Sequence, residues 1–277
     1  MLYSPTEIME NYTYLGKEKA EASAPRLFVL GVIAGFIIAI SAFVSSAAGH
    51  TIENPSISRV ICGTVFAMGV GVTFITGAEL FTGDCMMVIA ALSKKTGVSN
   101  VLRTLAIVFL GNIAGGVSLA AAVVVSGHIE MNDGALAIYS VKIAAEKCEM
   151  GFGSAFALGF LCNILTCASV LCGQSATNTA GKIVGSYIPV IFYIIAGFEN
   201  AVANMYYIPV GIFAAIKNAD LAGAETEALS WGGFLAANMA PVALGNIAGG
   251  AGVATLLWVC RDNAKTREPR CQPTLKA

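Results

Sequence analysis

Charge is scarce in this chain. Only 12% of its 277 residues are Asp, Glu, Lys or Arg, whereas 56% are hydrophobic; an ordinary soluble domain carries about 25% charge. Mean hydropathy is +0.74, which leaves too little polar surface to cover a water-soluble globule. Neither sign of charge prevails, the formal net charge being −1, so no basic field exists to hold nucleic acid. Histidine is nearly missing: His50 and His128 are the only two, and both fall at span ends, which leaves none for a buried haem. No cysteine pair has zinc-like or CxxC spacing. Six of the eight (Cys62, Cys85, Cys162, Cys167, Cys172 and Cys260) lie in or beside apolar runs, as small hydrophobes do. Residues 1–26 lack the continuous apolar region of a signal peptide. These absences exclude a soluble enzyme, a secreted disulfide scaffold and a DNA-binding protein. They give no reason to expect a cofactor or a metal. What remains is an all-α integral membrane protein.

Charge-free stretches locate the hydrocarbon core, which a helix crosses in about 20 residues. Residues 27–52, 104–129, 150–181 and 228–260 carry no charge. Between Arg59 and Lys94 the only charges are Glu79 and Asp84, and between Lys182 and Lys217 the only one is Glu199. Each of these two stretches is too long for one straight crossing of a core about 30 Å thick, so each is expected to cross once, broken or bent. Six spans result: 27–49, 59–92 (interrupted), 101–127, 152–173, 183–216 (interrupted) and 232–259. Six crossings place both termini on one side. That side carries 12 of the 16 basic residues: Lys17, Lys19, Arg26, Lys94, Lys95, Arg103, Lys182, Arg261, Lys265, Arg267, Arg270 and Lys276. The positive-inside rule makes it cytoplasmic, for a multi-pass protein of the inner (plasma) membrane.

Ser4-Pro5-Thr6-Glu7 reads as a helix N-cap, a proline at the first helical position and an acid at the third. It opens an amphipathic helix within residues 1–26, lying against lipid or the protein's own base, with no chemistry implied. The remaining divisions are a first three-helix unit over 27–127, a second over 152–259 and a cytoplasmic tail over 260–277.

The two units resemble one another. Gly-Asn-Ile-Ala-Gly-Gly occurs at 111–116 and 245–250, Gly-x-Glu at Gly77–Glu79 and Gly197–Glu199, and Gly-Phe at Gly35-Phe36 and Gly159-Phe160. Any one pair is what close helix packing produces, but three in the same order indicate duplication. Because each unit has an odd number of spans, the second enters from the opposite side. Such inverted repeats place the permeant's site near the midplane, between the discontinuous helices.

A carboxylate in hydrocarbon costs at least about 2.5–3.5 kcal/mol, so Glu79 and Glu199 need a reason to be there. They either carry protons or cations, or accept hydrogen bonds from backbone N–H groups freed at each helix break. Their symmetric placement beside Gly77 and Gly197 favours the second reading. Without mid-span histidines an ammonium channel is disfavoured, and without Asn-Pro-Ala so is an aquaporin. Lys147, just before the fourth span, is either an interfacial lysine snorkelling to water or a positive charge at a pore mouth.

The run Gly77-Ala78-Glu79-Leu80-Phe81-Thr82-Gly83, and Gly197-Phe198-Glu199-Asn200-Ala201-Val202-Ala203-Asn204-Met205 after it, resemble the signatures of the formate/nitrite transporter family. The resemblance covers nearly the whole chain. It implies a homopentamer of aquaporin-like protomers in the lipid bilayer, each with its own pore for small monovalent anions: formate, nitrite, hydrosulfide, acetate or lactate. By matching position it implies a pathway past Lys147, Thr82, Asn200, Leu80, Phe81, Phe66, Tyr193, Asn163 and Asn246. Most members carry a pore histidine after the fifth-span glutamate; Asn200 stands there instead, and an amide cannot exchange a proton near neutral pH.

The expected function is therefore a channel for weak-acid anions, formate first, with nitrite or hydrosulfide as alternatives and a neutral-solute channel as the rival of another class. A bare anion would lose its hydration in apolar constrictions. A weak acid avoids this cost by taking a proton from water near the slit, where desolvation raises its pKa, with Lys147 concentrating anions at the mouth.

Overall fold

In the computed structural model, residues 2–218 and 228–260 are described. The basic residues Arg261, Lys265, Arg267, Arg270 and Lys276, and most of the polar loop near 217–230, lie outside them. The described chain is almost wholly helical: α1 (Pro5–Glu21), α2 (Ala24–Gly49), α3 (Pro55–Thr76), α4 (Phe81–Asp84), α5 (Val88–Leu92), α6 (Val98–Val125), α7 (Ala135–Glu149), α8 (Phe152–Ser175), α9 (Thr179–Ile195), α10 (Ala201–Lys217) and α11 (Ala240–Cys260). A 3₁₀ turn over Cys85–Met87 links α4 to α5, and a π-helical turn over Gly233–Met239 leads into α11. Among the described residues five helices are long and apolar enough to cross a membrane; α9 and α10 are shorter apolar helices joined end to end at a break.

Each start is written locally. Ser4 and Glu7 form the capping box: the Ser4 hydroxyl accepts from Glu7 N at 3.3 Å and Ser4 N donates to Glu7 Oε2 at 2.7 Å. Asn54 caps α3 by accepting from Ser56 N and Ile57 N, with Pro55 at the first helical position. Asn178 caps α9 through Gly181 N. The two breaks follow Gly77 (φ 66) and Gly197 (φ 72), whose left-handed backbone a residue with a Cβ adopts only under strain.

The ends of the elements fix the direction of each pass. Tyr3 N donates to Ser175 O at 2.9 Å, which puts the end of α8 beside the N terminus. At the opposite end Asn132, just before α7, lies 2.8 Å from His50 at the end of α2, and Lys217 donates to Val124 O at the end of α6. The second half therefore begins from the far side. α2 packs on α6 and α8 on α11, while α3 packs on α9 between the halves. Glycine makes both pairings possible. A Cβ at Gly111 would stand 2.6 Å from Phe28 O, and one at Gly245 would stand 2.2 Å from Phe156 O.

The internal correspondence differs in two ways from the sequence reading. Asn112 Nδ2 donates to Gly31 O and Asn246 Nδ2 to Gly159 O. The counterpart of Gly159 is thus Gly31, one helical turn before the Gly35-Phe36 pair that the sequence comparison matched. The repeat also extends beyond three spans: α7, unassigned in the sequence reading, stands to α8 as α1 stands to α2. Phe28, Val29, Ile33, Phe36, Ile40 and Val44 leave the outer face of α2 apolar and exposed, a stripe that only lipid or another protomer covers favourably.

Candidate functional site

At each break the backbone runs extended for a few residues and its polar groups need partners. One asparagine per half supplies them. Asn112, on α6, donates to Gly31 O (2.8 Å) and Glu79 O (2.9 Å) and accepts from Phe81 N (3.0 Å). Asn246, on α11, donates to Gly159 O (2.7 Å) and Glu199 O (3.1 Å) and accepts from Ala201 N (3.0 Å). The amide NH₂ and C=O of a single side chain thus satisfy the two break groups that hydrocarbon could not, and tie them to a carbonyl of the neighbouring helix. The expectation that Glu79 and Glu199 would do this with their carboxylates is corrected: asparagines brace the breaks, and the glutamates face lysines.

On the N-terminal side, Lys19 of α1 reaches both Glu79 Oε2 (2.5 Å) and Asp84 Oδ1 (2.6 Å). Burial alone would lower the Lys19 pKa, but Asp84 and Glu79 outweigh it and hold the ammonium well above its ordinary value. Tyr12, two turns earlier on the same face of α1, donates to Gly83 O at 2.7 Å and straps the helix onto α4. At the opposite side Lys147 of α7 meets Glu199 Oε1 at 2.6 Å and lies 5.7 Å from the centre of the Tyr207 ring. Asn204 donates to Glu199 Oε2 (2.6 Å) and to Asn238 Oδ1 (2.8 Å), and Asn238 donates to Lys147 O (3.0 Å). The π-helical turn carries Asn238; Pro241, lacking an N–H, cannot complete ordinary α-helical bonding just after it.

Between the N-terminal cluster and the second break lies a cavity of ≈330 Å³. Its lining includes the charged residues Lys19, Arg26, Glu79 and Asp84 together with Leu80, Thr82, Val190, Tyr193, Asn200 and Val202. Asn200 Oδ1 accepts from Val202 N (3.0 Å) and Ala203 N (3.3 Å), capping α10. With its oxygen held by the backbone, the amide presents its Nδ2 as a donor whatever the pH.

The family model described as formate/nitrite transporter matches residues 6–260. The chain belongs to the formate/nitrite transporter family. It is 31% identical to the formate channel FocA of Haemophilus influenzae over 242 residues, covering 81% of this chain and 82% of that one. It is also 31% identical to the probable formate transporter of Methanothermobacter thermautotrophicus over 274 residues, covering 92% and 96%. A solved pentameric formate channel with formate bound superposes with a TM-score of 0.75 at 30% identity, covering 85% of this chain and 96% of that chain. An FNT family ion channel, 22% identical, shares the fold with a TM-score of 0.82. These relatives are channels and transporters rather than enzymes, and a neutral-solute channel is not favoured.

Within this formate/nitrite transporter, the residues expected along the pathway fall into three groups. Leu80, Thr82, Tyr193 and Asn200 share the cavity wall. Phe66 is buried behind it, its ring edge-on to Tyr193 with centroids 6.4 Å apart. Lys147 stands beyond the second break with its charge matched by Glu199; it is neither a free snorkelling lysine nor an unopposed cation. Phe81, Asn163 and Asn246 do not line the cavity. Phe81 packs against Phe109 at 4.8 Å, and Asn163 Nδ2 donates to Thr82 O (3.1 Å) and Asn246 O (2.6 Å). These three pathway candidates are buried against protein partners, with Asn163 Oδ1 left without a hydrogen-bond partner.

Sequence reasoning missed Lys19, Asp84, Asn112, Asn204 and Asn238, and held α1 to carry no chemistry. The signal was present. Lys19 precedes Gly31 by the same interval as Lys147 precedes Gly159, and Asp84 follows Glu79 as Asn204 follows Glu199.

Proposed function

We propose that this transporter passes small monovalent weak-acid anions, formate first, each together with one proton. The observation that carries the reading is the cavity. Its charged residues are Arg26 and Lys19, the latter ion-paired with Glu79 and Asp84, and the rest of its lining is apolar or uncharged, with Leu80, Val190, Val202, Thr82, Tyr193 and Asn200 among it. A bare anion beside those uncharged residues meets donors rather than a charge of opposite sign, and its desolvation is unfavourable by many kcal/mol. A neutral acid meets a wall suited to it, and the Asn200 amide donates to its carbonyl oxygen. At both sides the lysines are ion-paired, so they attract an anion by exchanging partners rather than by a surplus of charge. The basic-residue count puts α1 on the cytoplasmic side, in the inner membrane. The likeness to a pentameric formate channel supports a homopentamer, whose protomers together with lipid would cover the apolar stripe of α2. No cofactor enters the scheme.

Proteoliposome uptake of formate, nitrite, hydrosulfide and lactate at pH 5.5 and 7.5 tests the reading. Formate uptake faster at the lower pH is the expected result. Uptake independent of pH across all four would overturn it.

A further inference from the structure

The two charged clusters share three matched positions, Lys19 with Lys147, Glu79 with Glu199 and Asp84 with Asn204, and of these three they differ at the last. On the α7 side one ammonium meets one carboxylate, and Asn204 fills the third place; both oxygens of Glu199 have donors and the set is neutral. On the α1 side the third place is Asp84, so one ammonium meets two carboxylates. Asp84 is fully buried, and its Oδ2 has no hydrogen-bond partner. The same residue lies on the cavity wall, as does Thr82 in the same short helix. The charged and titratable groups around it are Lys19 and Tyr12 from α1, Glu79 from the break, Cys85 from the next turn and Cys167 from α8, with Arg26 on the same cavity wall. Tyr12 is committed to Gly83 O, which leaves Lys19 as the one cation bonded to both acids. A surplus negative charge in so dry a place is unfavourable, and two carboxylates crowding one cation relieve it by holding a proton.

We propose that Asp84 is the proton-exchange group of the permeation path on the α1 side. It rests on the reading that cargo crosses as the neutral acid. A formate anion arriving at the vestibule takes the proton from Asp84 Oδ2 onto one carboxylate oxygen; the Asp84 O–H bond breaks, the formic acid O–H bond forms, and Asp84 is left as carboxylate. Water in the vestibule then returns a proton to Asp84. Cargo leaving toward α1 runs the same step backwards, depositing its proton on Asp84 and departing as the anion. The α7 side has an amide in this place, so there the proton is exchanged with water directly. The path is symmetric in fold and asymmetric in its proton handling.

The test is Asp84→Asn, a change for which Asn204 already serves as the internal precedent. Infrared spectroscopy of the full-length protein in liposomes comes first. A protonated-carboxyl band near neutral pH that disappears in Asp84→Asn and shifts in frequency in Asp84→Glu is the expected result. Second comes initial formate flux while pH is varied on the α1 side alone. The wild type should lose less than about tenfold per pH unit between pH 6 and 8, and Asp84→Asn should lose the full tenfold that free formic acid itself loses. Its dependence on pH at the α7 side should not change. A wild type without the band overturns the proposal and can be established even if the variant does not fold. So does a variant that lowers flux equally at every pH, because that is a packing effect. If instead the band and its loss are seen but formate moves without protons, the neutral-acid reading fails along with Asp84's part in it; if protons accompany formate and the band is absent, only the proposal about Asp84 fails.

Discussion

Asn200 illustrates how position decides role. Its Oδ1 is spent on the start of α10, while the residue lies on the cavity lining. Asn200→Asp keeps the capping oxygen while replacing the donor with a second acceptor and a negative charge. It should lower thermal stability by about 1–3 kcal/mol through the buried acid, even with the cap kept, and cut formate flux, since the donor to the acid's carbonyl oxygen is lost. Purified-protein melting and liposome uptake separate the two effects. Lys147 answers a different question. Lys147→Ala leaves the buried Glu199 with only its amide partner, a loss of about 3–5 kcal/mol. In Lys147→Gln with Glu199→Gln, no charge remains to be buried. The double variant should recover most of the stability but none of the flux, if the lysine's part is to meet the anion. Recovery of both would assign Lys147 to the fold alone.

At the scale of elements, the breaks are what the rest of the molecule holds open. Asn112→Ala strands Glu79 O and Phe81 N together, while Gly31 O remains part of α2. At about 1–3 kcal/mol for each buried polar group left unsatisfied, such a variant should lose several kcal/mol and fail to assemble, while Asn112→Asp, which keeps the acceptor but not the donors, should fall between. Detergent-solution melting curves would rank the three. The breaks were legible in the sequence because their composition departs from that of an ordinary span: a glycine, an acid and too many residues for one straight crossing. The helix that serves them was not. α1 is amphipathic and capped in the ordinary way, and nothing in its periodicity distinguishes a lysine facing solvent from one buried under two carboxylates 60 residues away or more. Only the internal repeat carries that information, through the matching intervals from Lys19 to Gly31 and from Lys147 to Gly159. The Gly35-Phe36 match obscured it by shifting α2 one turn. Asn163 and Asn246 were recognised as important residues, but a sequence does not say whether an amide turns toward a channel or toward the backbone behind it.

For the molecule as a whole, buried charged clusters stand on both sides, Lys19 with Glu79 and Asp84 on one and Lys147 with Glu199 on the other. On the proposed reading, an anion that passes between them is penalised for remaining one. The glycine-lined contacts of α2 with α6 and of α8 with α11 hold the walls together. A Cβ at Gly245 would collide with Phe156 O at 2.2 Å, so Gly245→Ala should lower stability by about 1–3 kcal/mol without altering which anions pass, as a competition assay between formate and lactate would show. The most direct test of the central claim is the charge moved per formate. In voltage-clamped proteoliposomes with a lumenal pH dye, neutral-acid passage predicts one proton released inside for each formate taken up and no matching electrical current. A current equal to the formate flux, with lumenal pH unchanged, would contradict the account.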